Sequence, residues 1–165
     1  MATTTHLANT ECRRIADQLR RAFEGDAWHG PAIRELVSGM TAEHATVRPI
    51  QSAHSAWELL LHIEAWEVVA INAIMGVPMP VLSPEQDFPV IGDKSGEAWR
   101  SLQNSVFSTN EDLVRSIENF GDARLTDIVP GRKYDFYQLL HGMTQHGLYH
   151  AGQIALLKKL VEAAA

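Results

Sequence analysis

Residues 136–160, FYQLLHGMTQHGLYHAGQIALLKKL, form an apolar run with two histidines four positions apart, His146 and His150. An α-helix turns once per 3.6 residues, so imidazoles at that spacing project from one face about 6 Å apart along the axis, close enough to clasp one metal ion. Two ligands on one helix need a third from elsewhere. The spacing alone is weak, since a chain with eight histidines can place two of them four apart by chance. Context has to supply the rest.

That context lies in a second amphipathic segment, Ser55 to Met75. Ser55-Ala56-Trp57-Glu58 fits a capping box, with Ser as N-cap and Glu at the third helical position. Leu59, His62, Trp66, Val69 and Ala73 then recur at three- and four-residue steps, which turns His62 toward the core. Taken alone, a histidine on such a stripe reads as a hydrogen-bonded core residue. Three imidazoles from two helices with an open fourth position, His62, His146 and His150, form a ligand set associated with catalytic zinc and its relatives.

The remaining segments complete a bundle. Leu7, Cys12, Ile15, Ala16, Leu19 and Phe23 predict a first helix from about Thr5 to Glu24, with Cys12 a small buried hydrophobe on its apolar face. Residues 25–31 break it, Pro31 opens a short helix over Ala32–Val37, and a polar connection runs to Pro49. Trp28 is expected to cap the end of the bundle rather than line a pocket. Four prolines between Gly76 and Asp93 forbid a continuous helix there, so this long crossover lets helices 2 and 3 be other than antiparallel neighbours. A third helix is expected from about Ser95 to Phe120, ended by Gly121. A fourth, capped by Asp135, continues to about Glu162 with Phe136, Leu140, Met143, His146, Gly147, His150, Ile154 and Leu157 inward. Gly147 costs about 1 kcal/mol against Ala in a helix, so something is expected to need its space. No strand-like alternation competes, and the expected fold is all-α, four long helices in one domain spanning residues 1–165.

Composition narrows the partners. The formal charge is −6 with dispersed basic residues, unlike a groove that neutralises nucleic-acid phosphates. One cysteine excludes an internal disulfide, and neither a membrane span nor a secretion signal is apparent, so the expectation is a soluble cytoplasmic protein with no membrane partner.

The chemistry of the site can be narrowed too. No Glu follows His146, which removes the metalloprotease helix, and no Glu lies three residues before any bundle His, which argues against a di-iron centre. Glu58 and Gln153, one turn from expected ligands, are candidates to orient imidazole N–H groups, although capping already accounts for Glu58. Tyr149 reads equally as pocket wall or dimer contact. His6, His29, His44, His54 and His141 are expected not to bind the metal, the first four because they fall in termini or loops.

Trp28-His29-Gly30-Pro31, the segment His54 to His62 (HSAWELLLH) and the segment His141 to Ile154 (HGMTQHGLYHAGQI) together resemble the DinB/YfiT-like superfamily, in order and over nearly the whole chain. The resemblance implies an up-down-down-up four-helix bundle, often a homodimer, holding one divalent metal ion per chain, zinc or nickel, through His62, His146 and His150. Related proteins include bacillithiol S-transferases and the metal-binding domain of a mycothiol-dependent maleylpyruvate isomerase. A counterpart of the isomerase's extra C-terminal domain is not expected here, which makes the isomerase activity the less expected one. The function expected from this resemblance is metal-dependent transfer of a low-molecular-weight thiol to a small-molecule electrophile, in detoxification or a stress response. Trp66, Tyr149 and the Pro-rich crossover would shape the pocket. A metal-dependent hydrolase, or a stress-induced metal- or ligand-binding protein without turnover, are the alternatives.

Overall fold

The structure, a computed structural model, describes residues 10–164. Its long helices are α1 (Thr10–Glu24), α4 (Ala56–Ile74), α6 (Gly96–Glu118) and α7 (Phe136–Ala164). Short ones, α2 (Ile33–Val37), α3 (Ala42–Thr46) and α5 (Pro84–Asp87), punctuate the connections. Among the described residues there is no strand, only one isolated bridge between Ile128 and Asp135. No helix there is long and apolar enough to cross a membrane.

Local chemistry sets the helix starts. The Ser55 hydroxyl accepts from the Glu58 amide while the Glu58 carboxylate accepts from the Ser55 amide, at 3.3 and 2.8 Å, closing the expected capping box on α4. Ser95 caps α6 through the Ala98 amide, and Asp135 caps α7 through the Gln138 amide. Gly121 ends α6 with φ at 101°, a conformation that favours glycine. Asp122 then reaches back to α1, its carboxylate accepting from the Glu11 and Cys12 amides at 3.0 and 2.9 Å.

Two expectations change. The polar connection to Pro49 contains α3, started by the Thr41 hydroxyl accepting from the His44 amide, so His44 is helical rather than in a loop. Trp28 caps nothing: its side chain is fully exposed. The expected first-helix residues Thr5 to Asn9, with His6 and Leu7, lie outside the described residues.

Each of α1 and α4 packs against both α6 and α7. Along α4 and α6 the contacts advance together: Trp57 meets Trp99, Glu64 bonds Ser105, and Glu67 accepts from Asn110. Helices 2 and 3 of the sequence are thus direct neighbours that the crossover allows to run side by side. Cys12 is buried in this core, and burial, then Asp122, pushes its thiol up to about 11, which leaves it unreactive.

Gly147 faces α1. A Cβ placed there would stand 2.9 Å from Phe23 Cε2, so the space that the sequence reserves belongs to an aromatic ring and not to the site. Gly142, one turn and a half earlier, would meet nothing within 4 Å. The two positions should respond oppositely to alanine. In chemical denaturation, Gly147→Ala should lose about 1–2 kcal/mol because overpacking outweighs propensity. Gly142→Ala should gain about 0.5–1 kcal/mol. Equal responses would refute the close α1–α7 approach.

Glu67 is wholly buried, its Oε1 accepting from Asn110 Nδ2 at 2.6 Å and its Oε2 meeting no hydrogen-bonding group of the described protein. Burial raises this carboxyl from 4.5 to about 8. Below the lower value both folded and unfolded chains hold the proton. Between the two, only the folded chain keeps it, so stability falls with rising pH by on the order of 1 kcal/mol per pH unit, and the loss levels off above the higher value. Glu67→Gln should remove that slope, gaining on wild type as urea unfolding is moved from about pH 4.5 to about pH 8. A stability difference that stays constant over this range would exclude a proton-bearing Glu67.

Candidate metal centre

The centre is assembled from α4 and α7 with one turn of the crossover laid over it. Helical spacing turns His62 of α4 and His146 and His150 of α7 toward one another, with His62 and His150 buried and His146 partly so. His146 Nε2 lies 2.9 Å from His62 Nε2 and 3.1 Å from His150 Nε2. One ligand nitrogen from each of the three falls within a 4.8 Å cluster, so the group could hold a metal ion. Nitrogens bound to a single zinc at about 2.0–2.1 Å stand roughly 3.4 Å apart in a tetrahedral shell, close to what these side chains already show.

Hydrogen bonds on the outer side of the rings decide what the inner nitrogens are. His62 Nδ1 lies 2.8 Å from the backbone carbonyl of Asp87, and a carbonyl can only accept, so Nδ1 carries the proton. His150 Nδ1 likewise donates to Gln153 Oε1 at 2.6 Å. In both rings Nε2 is the nitrogen that faces inward, toward a His146 Nε2 that has at most one proton to give. Hydrogen bonding among neutral imidazoles leaves this arrangement short of donors, whereas a cation satisfies all three lone pairs at once. Burial first, then the neighbouring His150 and His62, holds His146 down at about 3, and burial also lowers His150. Neutral rings are the ligating form.

The other expected residues divide. Gln153 reaches His150 as described, and Tyr149, mostly exposed, stands at the rim of a cavity beside the histidines. Glu58 has no contact with the three clustered imidazoles: besides capping, it accepts from Arg48, with Nε to Oε2 at 2.9 Å, and stands 3.9 Å from His54 Nδ1. Trp66 does not line the cavity; its indole N–H donates to Asp87 Oδ1 at 2.7 Å and holds the crossover down. Of the remaining histidines, His54 lies outside the three-imidazole cluster, and so do His29, His44 and His141.

Sequence reasoning missed Asp87, Phe88 and His54 as builders of the site. Phe88 is sandwiched between His54 and His62, with centroids 3.6 and 4.2 Å away and planes within 6° of parallel. A signal for the turn was present. Ser83-Pro84-Glu85-Gln86 is a capping box like that of α4, and it starts the α5 turn that delivers Asp87 and Phe88.

A sequence model of the DinB superfamily matches residues 27–154, most of the chain and all three histidines of the centre. The chain belongs to that superfamily. No curated protein and no solved structure matches it.

Elemental analysis of zinc- or nickel-supplemented protein should give about one metal ion per chain and none in His150→Ala. Gln153→Leu should retain the site but weaken it by about 10- to 100-fold, since the partner that fixes the His150 tautomer is gone. Wild-type protein that stays metal-free would eliminate the centre.

Proposed function

We propose that this protein is a metal-dependent thiol S-transferase that joins a low-molecular-weight thiol to a small electrophile in the cytoplasm. The observation that carries the reading is the inward convergence of three imidazole nitrogens with no fourth protein ligand in the cluster among the described residues, next to an open cavity. A structural zinc site closes its shell with four protein ligands, whereas a catalytic one keeps a position for water or substrate. His62, His146 and His150 would hold the ion, zinc or nickel, with the Asp87 carbonyl and Gln153 fixing two of the rings. A divalent ion there supplies a Lewis acid that favours the thiolate over the thiol at neutral pH.

In the transfer, sulfur forms a new bond to the electrophilic carbon and the leaving group departs with the electron pair of the bond it breaks. The thiol proton passes to solvent. The rings would remain ligands, and His62 and His150, whose Nδ1 hydrogens are committed outward, would carry none of that proton. Phe88 and the apolar walls keep water from competing with sulfur at the carbon. The same reading keeps the up-down-down-up order of the long helices. The joint advance of contacts along α4 and α6 supports that order, and an experimental structure would test it.

Metal-loaded protein incubated with bacillithiol, mycothiol or glutathione and a generic alkylating electrophile should form the conjugate. Chelation or His150→Ala should abolish the rate. Ester or amide turnover without added thiol, or no turnover with any of the three thiols, would overturn the reading.

A further inference from the structure

The cavity beside the imidazoles has a volume of about 580 Å³, within the range of small-molecule sites. Ile50, Leu59, Phe88, Leu156 and Leu157 supply its apolar walls. Its polar surface comes from Ser52, His54, Tyr149, Gln153 and the edges of His62 and His150. No Lys, Arg, Asp or Glu is among the lining residues.

The charges nearby are engaged elsewhere. Arg48 is held by the Glu58 carboxylate, and Lys158, although next to Leu157 in sequence, donates to the carbonyls of Leu36 and Ser38 at 2.9 and 3.3 Å. Asp87 receives the Trp66 indole N–H. Carboxylates, sulfonates and phosphates are recognised by Arg forks, Lys or converging amide N–H groups, and they lose water at high cost where none is offered. The stacked rings of His54, Phe88 and His62 make one wall stiff, so the cavity is a preformed apolar compartment.

We infer that this cavity takes an uncharged, largely apolar small molecule and turns away anionic analogues of the same shape. Within the functional reading above, on which the assignment of roles rests, this occupant is the electrophile. A thiol bearing carboxylates would have to keep them outside the compartment.

The test is a fluorescence titration with two probes of matched shape, uncharged N-phenyl-1-naphthylamine and its sulfonated counterpart 1-anilinonaphthalene-8-sulfonate. Both are titrated into wild type and Leu156→Arg, each metal-free and zinc-loaded. Leu156 is half-exposed, so the arginine can be accommodated without unfolding, which a thermal melt verifies. The uncharged probe should bind wild type roughly tenfold or more tightly than the sulfonate in the metal-free state, where no ion can attract an anion. In Leu156→Arg the uncharged probe should weaken and the sulfonate should strengthen. Sulfonate binding equal to or tighter than that of the uncharged probe, no binding of the uncharged probe, or indifference of both to Leu156→Arg would overturn the inference. A clear preference in a protein that transfers no thiol would leave this inference standing and sink the transferase reading alone.

Discussion

The hydrogen bond from His62 Nδ1 to the Asp87 carbonyl ties the working parts of this molecule together. It fixes which nitrogen of His62 is free, and it anchors the part of the crossover that lies over the site. It also brings Phe88 onto the imidazole face. Trp66 reinforces the same anchor through the Asp87 carboxylate. Site, pocket wall and inter-helix connection therefore form one hydrogen-bonded unit.

The rest of the bundle serves that unit by bringing α7 to the correct depth. Phe23 lies against the bare backbone of Gly147, between the two histidines of α7, and this close approach sets how far His146 and His150 stand from α1. Asp122 fixes the beginning of α1 through two backbone amides, so both the position and the end of that helix are determined by contacts far apart in sequence. Packing of this kind transmits small shifts, because interiors are dense and side chains have few alternative rotamers.

Much of this was legible in the chain. The three- and four-residue periodicity gave the long helices, Ser55, Ser95 and Asp135 gave three of their starts, and the positions of His62, His146 and His150 on inward stripes gave the cluster. What was not legible depended on groups without a side-chain signature. The partner of His62 is a carbonyl, which every residue possesses, so no residue type at position 87 could announce it. The need for Gly147 could be felt in its helix cost, but the ring that fills the space comes from more than a hundred residues away. Glu58 misled in the other direction: one turn from a ligand, it had two chemically reasonable uses, and the arginine that claims it is part of an unpatterned loop.

Glu67 and Asn110 meet where α4 and α6 lie side by side, and the second carboxylate oxygen of Glu67 has no hydrogen-bond partner among the described residues. A carboxyl kept protonated there at neutral pH makes folding itself a proton-consuming reaction, with hydrogen ion taken from the buffer each time the chain closes and returned each time it opens. The apparent heat of unfolding would then include the ionisation heat of whichever buffer is present, so calorimetry in phosphate and in Tris would report different enthalpies for one and the same structural change.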